Sequence, residues 1–157
     1  MIENSRIVSL SLDHTFGRGR RPEVDQERAI AIEDLIEDNN VSIVGGPAGP
    51  YHLILGISEN RLVFRIQDKG ENDLRIVVLS LNPFRRIIRD YLEICDSYYN
   101  AIRVLNPSQI ETIDMARRGI HNDGSSLLIQ RLEGKIQIDH DTARRIFTLL
   151  SVLHIKT

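Results

Sequence analysis

Arginine pairs are the residues of this chain best suited to chemistry. Asp114-Met115-Ala116-Arg117-Arg118-Gly119-Ile120 is echoed by Asp141-Thr142-Ala143-Arg144-Arg145-Ile146-Phe147, and Arg85-Arg86 and Arg20-Arg21 stand elsewhere. Of the 20 basic residues, 17 are arginine and 3 are lysine. The bias is physical: guanidinium makes planar, bidentate pairs that tolerate desolvation, whereas lysine is a strongly hydrated point charge. Such arginines either hold carboxylates of the same chain or wait for an anion from outside.

The simpler use is internal. Asp114 lies three and four residues before Arg117 and Arg118, Asp141 stands likewise before Arg144 and Arg145, and Arg86 precedes Asp90 by four. On a helix these are neighbouring positions, each exposed pair contributing about 0.2–0.5 kcal/mol. Asp141 also reads as the cap of the last helix. Three arginines resist a purely surface role. Arg117 falls between Ile113 and Ile120, Arg131 beside Leu127 and Leu128, and Arg28 between Val24 and Ala31 or Leu35. A guanidinium on an apolar stripe must be paired or it is costly. Arg117 is therefore expected to be mostly buried against a carboxylate, or else to open into a pocket beside His121. If the pair is buried, Arg117→Ala costs about 3–5 kcal/mol.

The second constellation is Arg117-Arg118-Gly119-Ile120-His121-Asn122-Asp123-Gly124-Ser125-Ser126. If a helix breaks at Asn122-Asp123-Gly124, Ser125 or Ser126 starts a new one whose free amides hold an anion. His121 would then serve as acid or base near neutral pH. The plainer reading is a helix junction at which Asn, Asp and Ser cap the ends. Arg117, Arg118, His121, Asn122, Ser125, Arg144 and Arg145 are thus the candidate anion-binding residues, with Asp114, Asp141, Arg86, Asp90 and Arg28 as candidate structural ion pairs. The five histidines lack metal-ligand spacing, and the 45–50 Gly-Pro loop lacks the lysine and Ser/Thr of a phosphate loop, so neither metal nor cofactor is expected.

The elements that must position these groups follow from periodicity. Arg6–Asp13 alternates as a strand with Val8, Leu10 and Leu12 on one face. His14–Arg21 is a connector, and Pro22 opens a helix that stops at Asn39-Asn40. Val41–Val44 is a short strand. Tyr51–Ser58 and Arg61–Gln67 flank a two-residue hairpin at Glu59-Asn60, and Leu74–Leu81 extends it, so residues 51–81 form an antiparallel meander. Phe84–Leu105 keeps helical period throughout. Pro107 opens the next helix, Gly134 ends it, Lys135–Asp139 is extended, and a central helix runs to about Ile155. Strands segregate from helices, giving an α+β fold with an antiparallel sheet under layered helices and one domain over residues 1–157. Apolar residues on both sheet faces, such as Leu62, Phe64 and Ile66 against Val63, suggest cover on both, one by a second subunit; a homodimer is expected.

A chain of 157 residues, 41% apolar and 27% charged, can bury a full core unaided. Residues 1–83 carry 9 basic against 13 acidic groups and residues 84–157 carry 11 against 9, too weak a field for nucleic-acid binding. Cys95 alone forms no internal disulfide, and no apolar run reaches about 18 residues, so a cytoplasmic, membrane-free setting is expected.

Several blocks resemble an uncharacterised protein family (number 0262) of alphaproteobacteria. They are Glu27-Arg28-Ala29-Ile30-Ala31-Ile32, Gly49-Pro50-Tyr51, Pro83 to Tyr91, Ile94 to Tyr99, Ile113 to Ser125, Gly134-Lys135-Ile136 and Asp141 to Leu149. They occur in order across about residues 6–155. The resemblance implies a bacterial, cytoplasmic, single-domain protein and brings no activity. Family members often carry Glu where Asp123 stands, which suits an acidic cap or ion-pair partner better than a nucleophile.

Since no nucleophile, base and orienting group assemble, the leading expectation is a non-catalytic binding or regulatory module with an arginine ion-pair network or an anion site. Its partners would be a small anionic ligand or another protein. The alternative is an enzyme on a phosphorylated or carboxylated small molecule, with an arginine clamp and His121 as acid/base. RNA binding is disfavoured by net charge and the lack of an aromatic strand motif.

Overall fold

The computed structural model describes residues 5–16 and 22–154. Six strands, β1 (Ile7–Leu12), β2 (Val41–Ile43), β3 (Tyr51–Ser58), β4 (Arg61–Gln67), β5 (Asp73–Ser80) and β6 (Ile136–Ile138), combine with four helices, α1 (Pro22–Glu37), α2 (Asn82–Val104), α3 (Pro107–Leu132) and α4 (His140–His154). The class is α+β. The Arg20-Arg21 pair lies outside the described residues.

The meander forms as the alternation requires. β3, β4 and β5 pair antiparallel, Ser58 facing Arg61 and Arg61 facing Ser80. Glu59 and Asn60 both take positive φ, 49° and 64°, the backbone of a two-residue turn whose twist matches the strands. The sheet is mixed, however, because β1 adds to β3 in parallel and gives the order β1-β3-β4-β5. Parallel neighbours need a crossover, which α1 and β2 supply between them. A shift of register between Ile7 and Ser9 also corrects the expected face of β1. Ile7 turns inward, Leu10 and Leu12 are half-buried and Val8 faces out, because an extra residue inverts the alternation beyond it.

β2 and β6 make a separate two-stranded sheet, Val41 facing Ile138. Asn39 ties α1 to β1: its Oδ1 accepts from Ile7 N at 2.7 Å while its Nδ2 donates to Ile7 O and Leu35 O. The side chain imitates a strand partner and closes the β1 edge at that point. On the inner face, Ile7, Leu53, Phe64 and Ile66 meet Leu132 of α3 and Ile146 of α4. α4 packs against all three other helices and buries Ala143, Ile146, Phe147, Leu149, Leu150 and Leu153; a fully buried side chain of this kind stabilises by about 1.5–3 kcal/mol. The opposite sheet face, with Ile76 and Val78 exposed, is uncovered among the described residues. No described helix is long and apolar enough to cross a membrane.

Two expectations about helix ends are corrected. α3 does not break at Asn122-Asp123-Gly124 but runs unbroken from Pro107 to Leu132. Its start is set by Asn106, whose side chain accepts from Gln109 N while the Gln109 side chain accepts from Asn106 N, a reciprocal cap. Asp139, not Asp141, caps α4, accepting from Thr142 N at 2.8 Å. Asp141 sits inside the first turn, where a negative charge meets the positive end of the helix dipole.

Candidate anion site

The α3 and α4 arginine pairs converge. A cleft of about 370 Å³ is lined by Tyr91, Arg117, Arg118, His121, Asp141, Arg144, Arg145 and Thr148. Arg117, Arg118 and His121 project from one side of α3, at spacings of three and four that share a face. Arg144, Arg145 and Thr148 do the same on α4, and Tyr91 of α2 closes the end.

Asp114 holds two of the four arginines. Its Oδ1 accepts from Arg117 Nε at 3.1 Å and Nη2 at 2.5 Å, and its Oδ2 lies 2.9 Å from Arg118 Nη2. The Arg117 hydrogen bond, with both guanidiniums nearby, holds the Asp114 carboxyl below the usual range. The same bond raises Arg117, whose guanidinium also stacks on Tyr98, 5.0 Å from the ring centre. The Arg117 side chain is 31% exposed: it pairs with Asp114 and, as the second of the two expected placements has it, opens into the pocket beside His121. The reason is its height along α3, which has no buried residue before His121.

Arg144 Nη1 donates to Asn122 Oδ1 at 2.9 Å, so Asn122 orients a cleft arginine. Arg145 reaches Asp38 at 3.6 Å, a largely exposed contact. The expected pairing of Asp141 with Arg144 and Arg145 does not form among the described residues, since Asp141 points from the first turn into the cleft rim. Arg86 and Asp90 are both exposed and form no ion pair among the described residues, solvent competing successfully for each. Arg28 is buried, as its stripe requires, whereas Arg131 is exposed in the last turn of α3.

His121 is buried. Its ring packs edge-to-face with Tyr91 and Phe147, centres 5.1 and 5.2 Å away. Thr148 Oγ1 donates to Arg144 O, so its oxygen is left to accept from His121 Nε2 at 2.9 Å. That assigns the proton to Nε2, and Nδ1 is buried without a hydrogen-bond partner. Burial first, then the charges of Arg144, Arg117 and His140, lower the imidazole to about 4. It is neutral at physiological pH.

Ser125 leaves the candidate set. Fully buried, it donates Oγ to His121 O at 2.8 Å within α3, and no helix starts there to offer amides. Gly124 explains the local sequence instead: a Cβ there would lie 2.6 Å from Phe147 Cδ1 and closer to Cε1 and Cζ. Tyr91 and Thr148 are the cleft residues that the arginine pattern did not indicate. Tyr91 carries helical spacing on α2 but has no marker of its own, and Thr148 follows Arg144 by four. No group of three His, Cys, Asp or Glu able to hold a metal comes together among the described residues.

Residues 4–156 match the model of the uncharacterised protein family UPF0262. The chain is 52% identical over 154 residues to the UPF0262 protein of Rhodospirillum rubrum, across 98% of this chain and 95% of that one. It is 55% identical over 151 residues to a UPF0262 protein of Rhizobium meliloti, across 96% and 95%, and 54% identical over 149 residues to one of Agrobacterium fabrum, across 95% and 94%. No solved structure matches.

Proposed function

The chain belongs to the uncharacterised protein family UPF0262, a membership that carries no activity with it, and from the cleft we propose a non-catalytic binding or regulatory module that takes a small phosphate- or carboxylate-bearing anion between α3 and α4. One observation carries the reading. Four guanidiniums line the cleft with one carboxylate, Asp141, and Asp114 behind it serves two of them. Counting these two carboxylates and Asp38, which reaches Arg145, the cluster holds four positive and three negative charges, and an added anion balances the excess. Asp114 and Asn122 fix Arg117, Arg118 and Arg144 before any ligand arrives, which reduces the ordering cost of binding. Unused N–H groups on each fork then meet an oxyanion bidentately.

His121 supports the non-catalytic version. A general acid or base works best with a pKa near the operating pH; this ring is at about 4 and its proton is committed to Thr148. Cys95, the one cysteine of the sequence, suits a reducing, cytoplasmic setting. The test is a thermal-shift screen of inorganic phosphate, pyrophosphate, nucleotides, phosphosugars and di- and tricarboxylates. A ligand at a hundred times its Kd stabilises by about 2.7 kcal/mol. That shift is expected in the wild type and lost in Arg118→Ala/Arg144→Ala. A screen without shifts, or shifts that survive the double substitution, contradicts the proposal.

A further inference from the structure

The outer halves of α2 and α3 stand clear of the core. Beyond Ile88, Ala101 is the one buried residue of α2, and α3 has none before His121. Yet the apolar pattern of α2 does not stop where the core stops. Ile88 and Leu92 pack on or against it, and Cys95, Tyr99 and Ile102 continue the same line at steps of three and four. That is the spacing of a seam between packed helices. Tyr99 is 69% exposed and Ile102 50%, and Leu105, three residues further on, is 37% exposed. Two helices alone enclose no core, so a seam of this length on a helical hairpin is unfinished without a further helix pair.

We propose that a second copy of this chain completes it, the two α2 helices packing antiparallel about a two-fold axis at Tyr99. Charge decides for a copy over another partner. Asp96 and Arg103 flank the seam on one side, both exposed and in no ion pair among the described residues. Antiparallel packing centred on Tyr99 sets Tyr99 against its equivalent, Cys95 against Ile102, and Asp96 against Arg103, the last pair made twice by symmetry. A two-fold contact must be self-complementary in this way. Parallel packing would instead carry the Asp96 and Arg103 flanks of the two copies to opposite sides of the seam and leave these charges unmatched. The free face is about 20 Å long at 1.5 Å per residue, and two helices about 10 Å apart give it a similar width. With side-chain relief this is the same order as the roughly 800 Å² per partner of a standard interface.

The experiment is light scattering with size-exclusion chromatography at micromolar concentration, circular dichroism confirming the fold of each variant. The wild type is expected at twice 17.9 kDa. Asp96→Arg and Arg103→Asp each bring like charges together and are expected to weaken the dimer by about tenfold or more. Asp96→Arg/Arg103→Asp restores it. Ile102→Cys is treated with diamide, which takes up the two electrons and two protons of each thiol pair. A dimer linked by a disulfide to Cys95 of the other copy is expected, since the same residues within one helix lie too far apart to bridge. A monomeric wild type overturns the proposal, and so does a dimer indifferent to both charge reversals. None of these outcomes depends on anion binding.

Discussion

Gly124→Ala separates two accounts of one glycine by the sign of its effect. In the middle of a helix, Ala is favoured over Gly by about 1 kcal/mol, so a Gly124 that merely loosened α3 would be improved by the change. The structure says otherwise. The added Cβ would stand 2.6 Å from Phe147 Cδ1, with two further ring carbons closer, whereas carbon atoms pack at about 3.5–4.0 Å. Phe147 is fully buried and its ring is locked edge-to-face with Tyr91 and His121, so retreat disturbs the cleft wall. Overpacking costs about 1–3 kcal/mol and occasionally more, and an overlap this deep belongs at the upper end or beyond. After the helix-propensity gain, a net loss of about 1–3 kcal/mol is expected. For a chain of this size that lowers Tm by roughly 2–4 °C per kcal/mol. Differential scanning calorimetry with urea titration measures it, and near-ultraviolet circular dichroism reports the displaced rings. A Tm at or above that of the wild type would refute the packing argument.

Two further predictions concern the cleft. His121 is held neutral by burial, so its contribution is present above the unfolded pKa near 6.5 and lost as pH falls toward about 4; the full shift is worth about 3 kcal/mol, and screening from the open cleft leaves about 1–2 kcal/mol, read as the difference in acid sensitivity between the wild type and His121→Asn in urea titrations at pH 7 and pH 4.5. Arg117→Ala is expected to be mild rather than severe, because the side chain is part-exposed and Asp114 keeps Arg118; loss of the Tyr98 stacking costs about 0.5–1 kcal/mol, with Arg117→Lys intermediate, and a drop as large as that of a buried ion pair in calorimetry would show the site to be more enclosed than described.

Local signals carried much of the architecture. Glu59-Asn60 between alternating runs specified the hairpin, the apolar period of α2 specified its length, and the continuous apolar character of α4 marked it as central. What the sequence withheld depends on residues distant along the chain. β1 joins β3 in parallel, and β2 meets β6 across most of the fold, pairings that no local pattern encodes. The Asn122-Asp123-Gly124-Ser125 run has the composition of a junction, yet its glycine answers to Phe147 and its Ser125 hydroxyl to His121 O. The arginine echo marked residues that the fold brings together: Arg117, Arg118, Arg144 and Arg145 line one cleft across two helices, while only the first pair keeps the aspartate that precedes it. Asp139 displaced Asp141 as the cap because the chain enters α4 directly from β6, a boundary finer than periodicity resolves.

The claim that the cleft is an anion site is tested most directly by following arginine side-chain Nε–H signals in a nuclear magnetic resonance titration with pyrophosphate. Saturable shifts confined to Arg117, Arg118, Arg144 and Arg145, accompanied by the His121 ring signals, are the predicted result. Shifts spread over all arginines alike, or none at millimolar pyrophosphate, would contradict it.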